Sequence, residues 1–364
     1  MTLSLLVLEP YYGGSHRAVL DALLPNLDVD YDLLTLPARK WKWRMRGAAI
    51  TMATEARRLR ARGRRWDLIY ASTFLNLAEF LGLARDAVAG VPAIVYFHEN
   101  QLLYPNRHTA EWDLQFPLTN VTSALAADAC LFNTLWNLDG FVAEVPDFLR
   151  QFPDHVPSGA AEAIAAKSSV LAPPFDPAPF DAAPVTRGRR PRILWPHRWE
   201  HDKAPEAFFA AVETLAREGL DFEVAVAGQS FRETEASVAE AAGVLGDRLV
   251  HLGEPEGRGA YAALLGSADI AVSTATNEFF GLAMLEACYA GAMPVVPDRL
   301  AYPGLYPAEY RYRTPQELAA LLRSLVHKRP APGAARQLAE PFTVDRLAPA
   351  YQDAFEHVAA RTGV

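Results

Sequence analysis

Four ionisable residues in the second half of the chain have the types and spacing to hold a phosphorylated sugar. Residues 277–291 read NEFFGLAMLEACYAG, which sets Glu278 and Glu286 eight residues apart. A carboxylate accepts hydrogen bonds and donates none, so the pair suits hydroxyl-rich partners, a sugar and a ribose. Between them Phe279, Phe280, Gly281 and Leu282 put backbone N–H groups at a helix start, where the donors and the dipole favour a phosphate. Gly281 lets the backbone come close. Some 75 residues earlier, 195–203 read WPHRWEHDK, with Arg198 and Lys203 in the loop before the next helix. Two cations there would neutralise a diphosphate, the arginine bidentately. The competing readings are a solvated helix face for the glutamates and ordinary loop charges for the cations.

The first half carries a second set. Residues 8–23 read LEPYYGGSHRAVLDAL: an apolar run, the Gly13-Gly14 turn, then a helix. The loop amides there could face donor phosphates, with Ser15 and His16 toward an acceptor; the alternative is a plain tight turn without the third glycine of a dinucleotide fingerprint. Residues 96–104 read YFHENQLLY and place His98, Glu99, Asn100 and Gln101 just past an apolar run, where open parallel sheets keep their sites. Upstream lie Arg39, Lys40, Trp41, Lys42, Trp43 and Arg44 in the run RKWKWRMR. Cations for phosphates interleaved with flat rings for unstacked bases are what single-stranded RNA recognition uses. Arg57 to Arg65 would extend that positive surface, or form a solvated amphipathic helix.

These loops need elements to carry them. Short apolar runs at 3–8, 31–36, 68–70, 93–97 and 129–132 read as buried strands, followed by turns and helix-period segments. The same alternation recurs at 193–195, 222–227, 249–252, 270–273 and 293–296, with helices expected at 205–218 and 257–265. Alternating βα units predict an α/β protein of parallel sheets covered on both faces. Residues 172–192 hold six prolines and read as a linker without regular structure. We expect a first domain over 1–182, a second over 183–343, a C-terminal helix at 344–364 packing back on the first domain, and ligands in a cleft between them.

Composition narrows the class. The chain has 364 residues, 51% hydrophobic and 21% charged, which excludes disorder and suits two domains. Its two cysteines, Cys130 and Cys288, read as buried free thiols. No apolar run is long enough for a membrane span, and the N-terminus reads as too short for a signal peptide, so a cytoplasmic protein is expected. The net charge is −8, yet residues 37–66 hold eleven basic side chains against the single acid Glu55. A focused contact with a polyanion fits this; wholesale nucleic-acid coating does not.

The Arg198-x4-Lys203 pair and the Glu278-x7-Glu286 motif resemble the retaining glycosyltransferases of the GT-B fold, group four. Taken with YGGSH, LPARKWKWR, FHENQLLYP and YPGLYPAEY, the whole chain resembles the tRNA-queuosine α-mannosyltransferases. The resemblance implies two Rossmann-like domains and transfer of mannose from GDP-mannose to queuosine in the anticodon loop of tRNA(Asp), with retention. Arg198 and Lys203 would then bind the donor diphosphate, Glu286 the ribose, and Glu278 with the amides of residues 279–282 the sugar. Residues 251–255, including Glu254, would cradle the base. His98 would meet the reacting face of the sugar through its ring or its carbonyl. Gly13 and Gly14 would face the donor. Ser15, His16, Asn100, Gln101 and residues 39–44 would face the acceptor. No metal is expected, since the protein's own cations stabilise the leaving group; the Asp28-Val29-Asp30 triplet is read as a chance loop. Animal members of that family are expected to carry a long insertion before WPHRWEHDK. A small-molecule or lipid-linked acceptor, or an RNA-binding module with a degenerate sugar site, are the competing functions.

Overall fold

The structure is a computed structural model that describes residues 2–104, 113–183, 185–228 and 243–361. It divides into two compact units, Met1–Pro174 with Val344–Val364, and Phe175–Thr343. Helices of seven residues or more are numbered below.

In the first unit the chain runs β1 (Leu3–Tyr12), α1 (Gly14–Leu23), β2 (Val29–Pro37), α2 (Trp41–Ala61), β3 (Leu68–Ser72), α3 (Leu77–Leu83) and β4 (Ala93–Phe97). It continues with α4 (Gln115–Ala126), β5 (Ala129–Phe132), α5 (Leu135–Leu149) and β6 (Ser168–Val170). The strands form one sheet in the order β2-β1-β3-β4-β5-β6, every pair parallel. Parallel neighbours need a crossover, and the helices supply it. β3, β4 and β5 are buried along their whole length, so their runs are continuously apolar rather than alternating. Leu6, Ile69, Val95 and Cys130 pack on one face of the sheet, and Leu5, Leu68, Ile94 and Leu131 on the other.

The second unit repeats the plan with β7 (Arg192–Pro196), α6 (Pro205–Arg217), β8 (Glu223–Ala227), β9 (Leu249–Gly253), α7 (Gly257–Gly266) and β10 (Ile270–Val272). Then follow α8 (Leu282–Tyr289), β11 (Met293–Pro297), β12 (Arg311–Tyr312) and α9 (Pro315–His327). Its sheet runs β12-β11-β10-β7-β8-β9, again parallel throughout. The last helix, α10 (Val344–Ala360), belongs to the first unit. Val344, Ala348, Tyr351, Phe355 and Val358 form its buried stripe and pack among Leu20, Leu68, Tyr70 and Tyr96. The Tyr351 hydroxyl donates to the Ala172 carbonyl at 3.0 Å, and Tyr96 donates to the neighbouring Leu171 carbonyl at 2.9 Å.

Each of the ten strands expected from the sequence is present. β6 and β12 were not expected: they are sheet-edge strands of three and two residues, without an apolar run of their own. Two expectations about the proline-rich segment need correction. The boundary falls after Pro174 rather than Ala182, because the Phe175 N–H donates to Phe342 O at 3.1 Å and Phe180 packs on Tyr289 and Tyr261. The segment is also partly regular. Ala178–Ala182 is a short helix with proline in its first turn, where no N–H is needed. Arg187 further on is anchored to fully buried Asp269 at 3.0 Å.

Phe355 is fully buried against Tyr70 and Tyr351. Phe355→Ala should cost about 3–5 kcal/mol in stability measured by urea unfolding of the whole chain.

Candidate functional site

In the second unit the candidate residues gather at the carboxyl ends of the strands. The loop after β7 and the loop after β10 are stitched together. The Thr276 and Asn277 N–H groups donate to Asp202 O at 2.7 and 3.2 Å. Thr274 Oγ1 accepts from Trp195 Nε1 at 3.0 Å and lies 2.7 Å from Lys203 O and 2.9 Å from Ala204 O. Lys203 completes the seam: its ammonium donates to Asn277 O at 2.8 Å and Glu278 Oε2 at 3.2 Å, and pairs with Asp202 at 3.2 Å. Burial opposes its charge, yet the carboxylates of Glu278 and Asp202 outweigh that and hold its pKa above the ordinary lysine value. Thus Lys203 and Glu278, given separate tasks on sequence grounds, are an ion pair. Arg198 is more exposed, 3.4 Å from Glu200, with just over half of its side chain open to solvent.

The helix start between the two glutamates is formed. Gly281 caps α8 with φ +88°, and an added Cβ would lie 3.2 Å from the Tyr302 ring. Phe279 and Phe280 are buried, Leu282 nearly so. The Phe280 N–H turns back to Glu278 Oε1 at 3.4 Å, so that amide is engaged within the loop. Glu286 is buried too, and it is not alone: Arg258 donates to Oε1 at 2.5 Å and Tyr261 to Oε2 at 2.9 Å. Each carboxylate oxygen can accept twice, so these contacts fix the group without saturating it. Arg258 and Tyr261, both on α7, were missed because neither lies in the motif. Glu254 stands exposed in the loop after β9, where His251 Nε2 lies 3.1 Å from Gly253 O.

Gly228, at the end of β8, was also missed. With φ +138°, its added Cβ would fall 2.0 Å from His197 O, so no larger residue fits between these loops. His197 is buried, and burial, then Lys203, pushes its pKa down to about 3.

In the first unit, Gly13 and Gly14 lie where expected, at the start of α1. An added Cβ on Gly13 would strike Ala38 at 2.4 Å, and Gly14 has φ +53°. Ser15 is exposed, and His16 is turned inward. Its Nδ1 lies 3.0 Å from Glu9 Oε2, and its ring packs on His98 with centroids 4.1 Å apart and planes at 38°. Burial, then His16, holds the His98 pKa well below the ordinary histidine value, so its ring is neutral. Glu9, His16 and His98 bring one donor atom each within 4.8 Å. The facing rings make this a stack beside a hydrogen-bonded carboxylate, not two ligands directed at one point.

Asn100 is turned inward as well. It is fully buried and braces its own loop, taking the Leu102 and Leu103 N–H groups at 3.0 and 2.8 Å and donating to Asn137 Oδ1 at 2.7 Å. Asn137 in turn donates to Phe97 O at 3.1 Å, Asn133 donates to His98 O at 2.6 Å, and Asn120 takes the Gln101 N–H at 2.8 Å. Four buried asparagines therefore fix the backbone that carries His98 and half-buried Gln101. Asn133 and Asn137 follow β5 at helical spacing, a signal too ordinary to single out.

The basic segment becomes the first turns of α2, entered through Lys40 in the left-handed region. Arg39, Lys40, Lys42 and Trp43 are exposed, Trp43 at 61%, its ring lying over Gly47. Arg44 donates to Pro37 O at 3.1 Å, and Trp41 tilts against Phe116 at 5.1 Å. The second basic run contributes less positive surface than expected. Arg57 pairs with Asp86, Arg58 with Glu55, and Arg64 with Asp30 and Asp32. That last pairing also engages Asp30 of the 28–30 triplet, which lies in β2.

Known proteins resemble this chain in both halves. Residues 4–175 match the family model of the tRNA-queuosine alpha-mannosyltransferase N-terminal region, and residues 180–337 match glycosyl transferases group 1. A tRNA-queuosine alpha-mannosyltransferase of Drosophila melanogaster is 37% identical, aligned over 378 residues that cover 98% of this chain and 97% of its own. That alignment leaves no room for the long insertion expected in animal members. Among solved structures, Anabaena HepE with UDP and glucose has a TM-score of 0.68 at 15% identity, covering 98% of this chain and 100% of its own. An α,α-trehalose-phosphate synthase (UDP-forming) from Burkholderia vietnamiensis has a TM-score of 0.71 at 15% identity, covering 100% and 99%. These two share the α/β fold with its two Rossmann-like units.

Burial of neutral His197 sets a pH dependence. Its folded pKa of about 3 lies below the ordinary 6.5, so its contribution to stability is complete above pH 6.5 and is lost as pH falls toward 3. Stability should drop by about 1.4 kcal/mol per pH unit below that point for this group. Urea midpoints at pH 7 and 5.5 should show a smaller fall in His197→Gln.

Proposed function

This chain belongs to the tRNA-queuosine alpha-mannosyltransferase family of glycosyltransferases, and on that premise we propose that it moves mannose from GDP-mannose to queuosine in the anticodon loop of tRNA(Asp). The bond from the anomeric carbon to the donor phosphate oxygen breaks, a bond from that carbon to a hydroxyl oxygen of the queuosine ring forms with configuration retained, and the hydroxyl proton passes to the departing diphosphate. In the second unit Arg198, Lys203 and the amides of residues 279–282 take the diphosphate, Glu286 the ribose, Glu278 the sugar, and the loop with Glu254 the base. The stabilisation they offer is electrostatic: fixed cations and N–H groups already placed where charge develops on the leaving group. Glu278 neutralises and positions the Lys203 ammonium until a diphosphate arrives to share it.

The observation that carries the reading toward RNA is an aromatic path in the first unit. Exposed Trp43 and the cations Arg39, Lys40 and Lys42 sit at the start of α2. Behind them Trp41 meets Phe116, which clusters with Met45, Phe74 and Tyr11. Phe74 lies 5.2 Å from His16, which lies 4.1 Å from His98. A surface for phosphates and unstacked bases thus leads by continuous packing to the histidine assigned to the sugar's reacting face. Gly13, Gly14, Ser15 and Gln101 line the loops beside it. We further infer action without a metal ion, and in the cytoplasm; no helix among the described residues is long and apolar enough to cross a membrane.

Labelled sugar from GDP-mannose should enter tRNA only when the tRNA carries queuosine, and chelator should leave the rate unchanged. Label on a lipid or small molecule instead would replace the RNA reading. Lys203→Ala should weaken GDP-mannose binding about 10- to 100-fold by calorimetry, through loss of a charge-assisted contact. Trp41→Ala with Trp43→Ala should keep donor binding and raise the KM for tRNA at least about tenfold, as lost base stacking requires.

A further inference from the structure

We propose that Glu9 is a positioning residue that sets the protonation of the stacked His16–His98 pair, keeping a proton on His16 Nδ1 so that His98 presents a neutral ring. The inference rests on the reading of His98 as the group that meets the sugar.

Glu9 lies in β1 and is 1% exposed. A buried carboxylate is costly unless hydrogen bonds and an opposite charge compensate it. Its Oε1 takes the Tyr11 N–H at 2.8 Å, and its Oε2 faces His16 Nδ1 at 3.0 Å. An ionised carboxylate can only accept, so the proton of that contact belongs to the imidazole. Two imidazoles with centroids 4.1 Å apart cannot both carry charge in a buried site, and the carboxylate favours His16 as the carrier. Among the described ring contacts, Tyr11 lies against His16 and Tyr96 against His98, with Tyr70 behind Tyr96. Asn133 and Asn137 hold the backbone carbonyls of His98 and Phe97, which fixes where the His98 ring starts from. A shared metal ion fits less well: with nitrogen–metal bonds near 2 Å, two imidazoles on a tetrahedral ion stand about 5 Å apart, wider than this pair.

Histidine NMR on the whole wild-type chain decides the matter without any activity. His16 should hold its proton on Nδ1 and titrate at higher pH than His98. In Glu9→Gln the midpoint of the pair should fall by about one pH unit or more, as loss of a facing carboxylate requires. In transfer assays the same variant should lower kcat about tenfold or more, leave GDP binding unchanged, and move the pH dependence of kcat down with the NMR midpoint. His16→Asn, whose amide can still donate to Glu9, should abolish that titration even if Glu9→Gln does not fold. His98 titrating above His16, an unshifted midpoint in Glu9→Gln, or a stoichiometric divalent cation bound by the wild type and lost in the variant would each overturn the proposal. Wild-type protein inactive on every tRNA would refute the functional reading while the NMR arm still tests Glu9.

Discussion

Parallel pairing is the constraint on which both units depend. Each strand of each sheet runs beside its neighbours in the same direction, so every connection crosses the sheet and the loops that leave the strand ends gather along one edge. The helices that make those crossings bury both sheet faces. What remains in each unit is the rim of carboxyl ends of its own sheet: Glu9 to His16 and His98 to Gln101 in the first, Arg198 to Lys203 and Thr274 to Gly281 in the second. Residues far apart in sequence meet there because the sheet leaves their loops nowhere else to go.

Loops at such a rim carry many backbone N–H and C=O groups that no ladder satisfies, and a buried unpaired group is expensive. The two units solve this differently. The first uses neutral amides: Asn100, Asn120, Asn133 and Asn137 close the hydrogen bonds of the loop behind His98. The second uses charge, with the Lys203 ammonium joining two loops through Asn277 O, Glu278 and Asp202. Both devices fix loop backbone through buried hydrogen bonds. The amide device holds its geometry without charge. The charged one holds it with an ammonium set between two carboxylates.

Buried charge also serves architecture. Asp269 is fully buried, paired with Arg187 and Arg329 and accepting the Arg192 N–H at 2.8 Å; it ties the proline-rich segment to the sheet. The contrast with Glu9 lies in the partners. Asp269 meets arginines, which stay charged at any working pH. Glu9 meets a histidine, a residue type that can be neutral or charged. The basic residues of α2 differ in their partners: Arg46 pairs with Asp113, Arg57 with Asp86 and Arg58 with Glu55, whereas Lys42 at its start and the preceding Arg39 and Lys40 are exposed.

The sequence by itself determined the class of fold, because buried parallel strands need continuous apolar runs and the helices between them a 3.6-residue period. It also singled out Arg198, Lys203, Glu278 and Glu286 by type and spacing as candidates for a phosphorylated sugar, with ordinary loop charges and a solvated helix face as the competing readings. Edge strands such as β6 and β12 escaped, being short and without an apolar run. The tertiary structure alone decided which groups face one another. Lys203 with Glu278, Arg258 and Tyr261 with Glu286, Glu9 with His16, and Asn133 with His98 are contacts across 7 to 75 positions of chain. Spacing along a strand or helix is local information. Which loops share a rim follows from strand order, and strand order is set by the packing of the whole sheet.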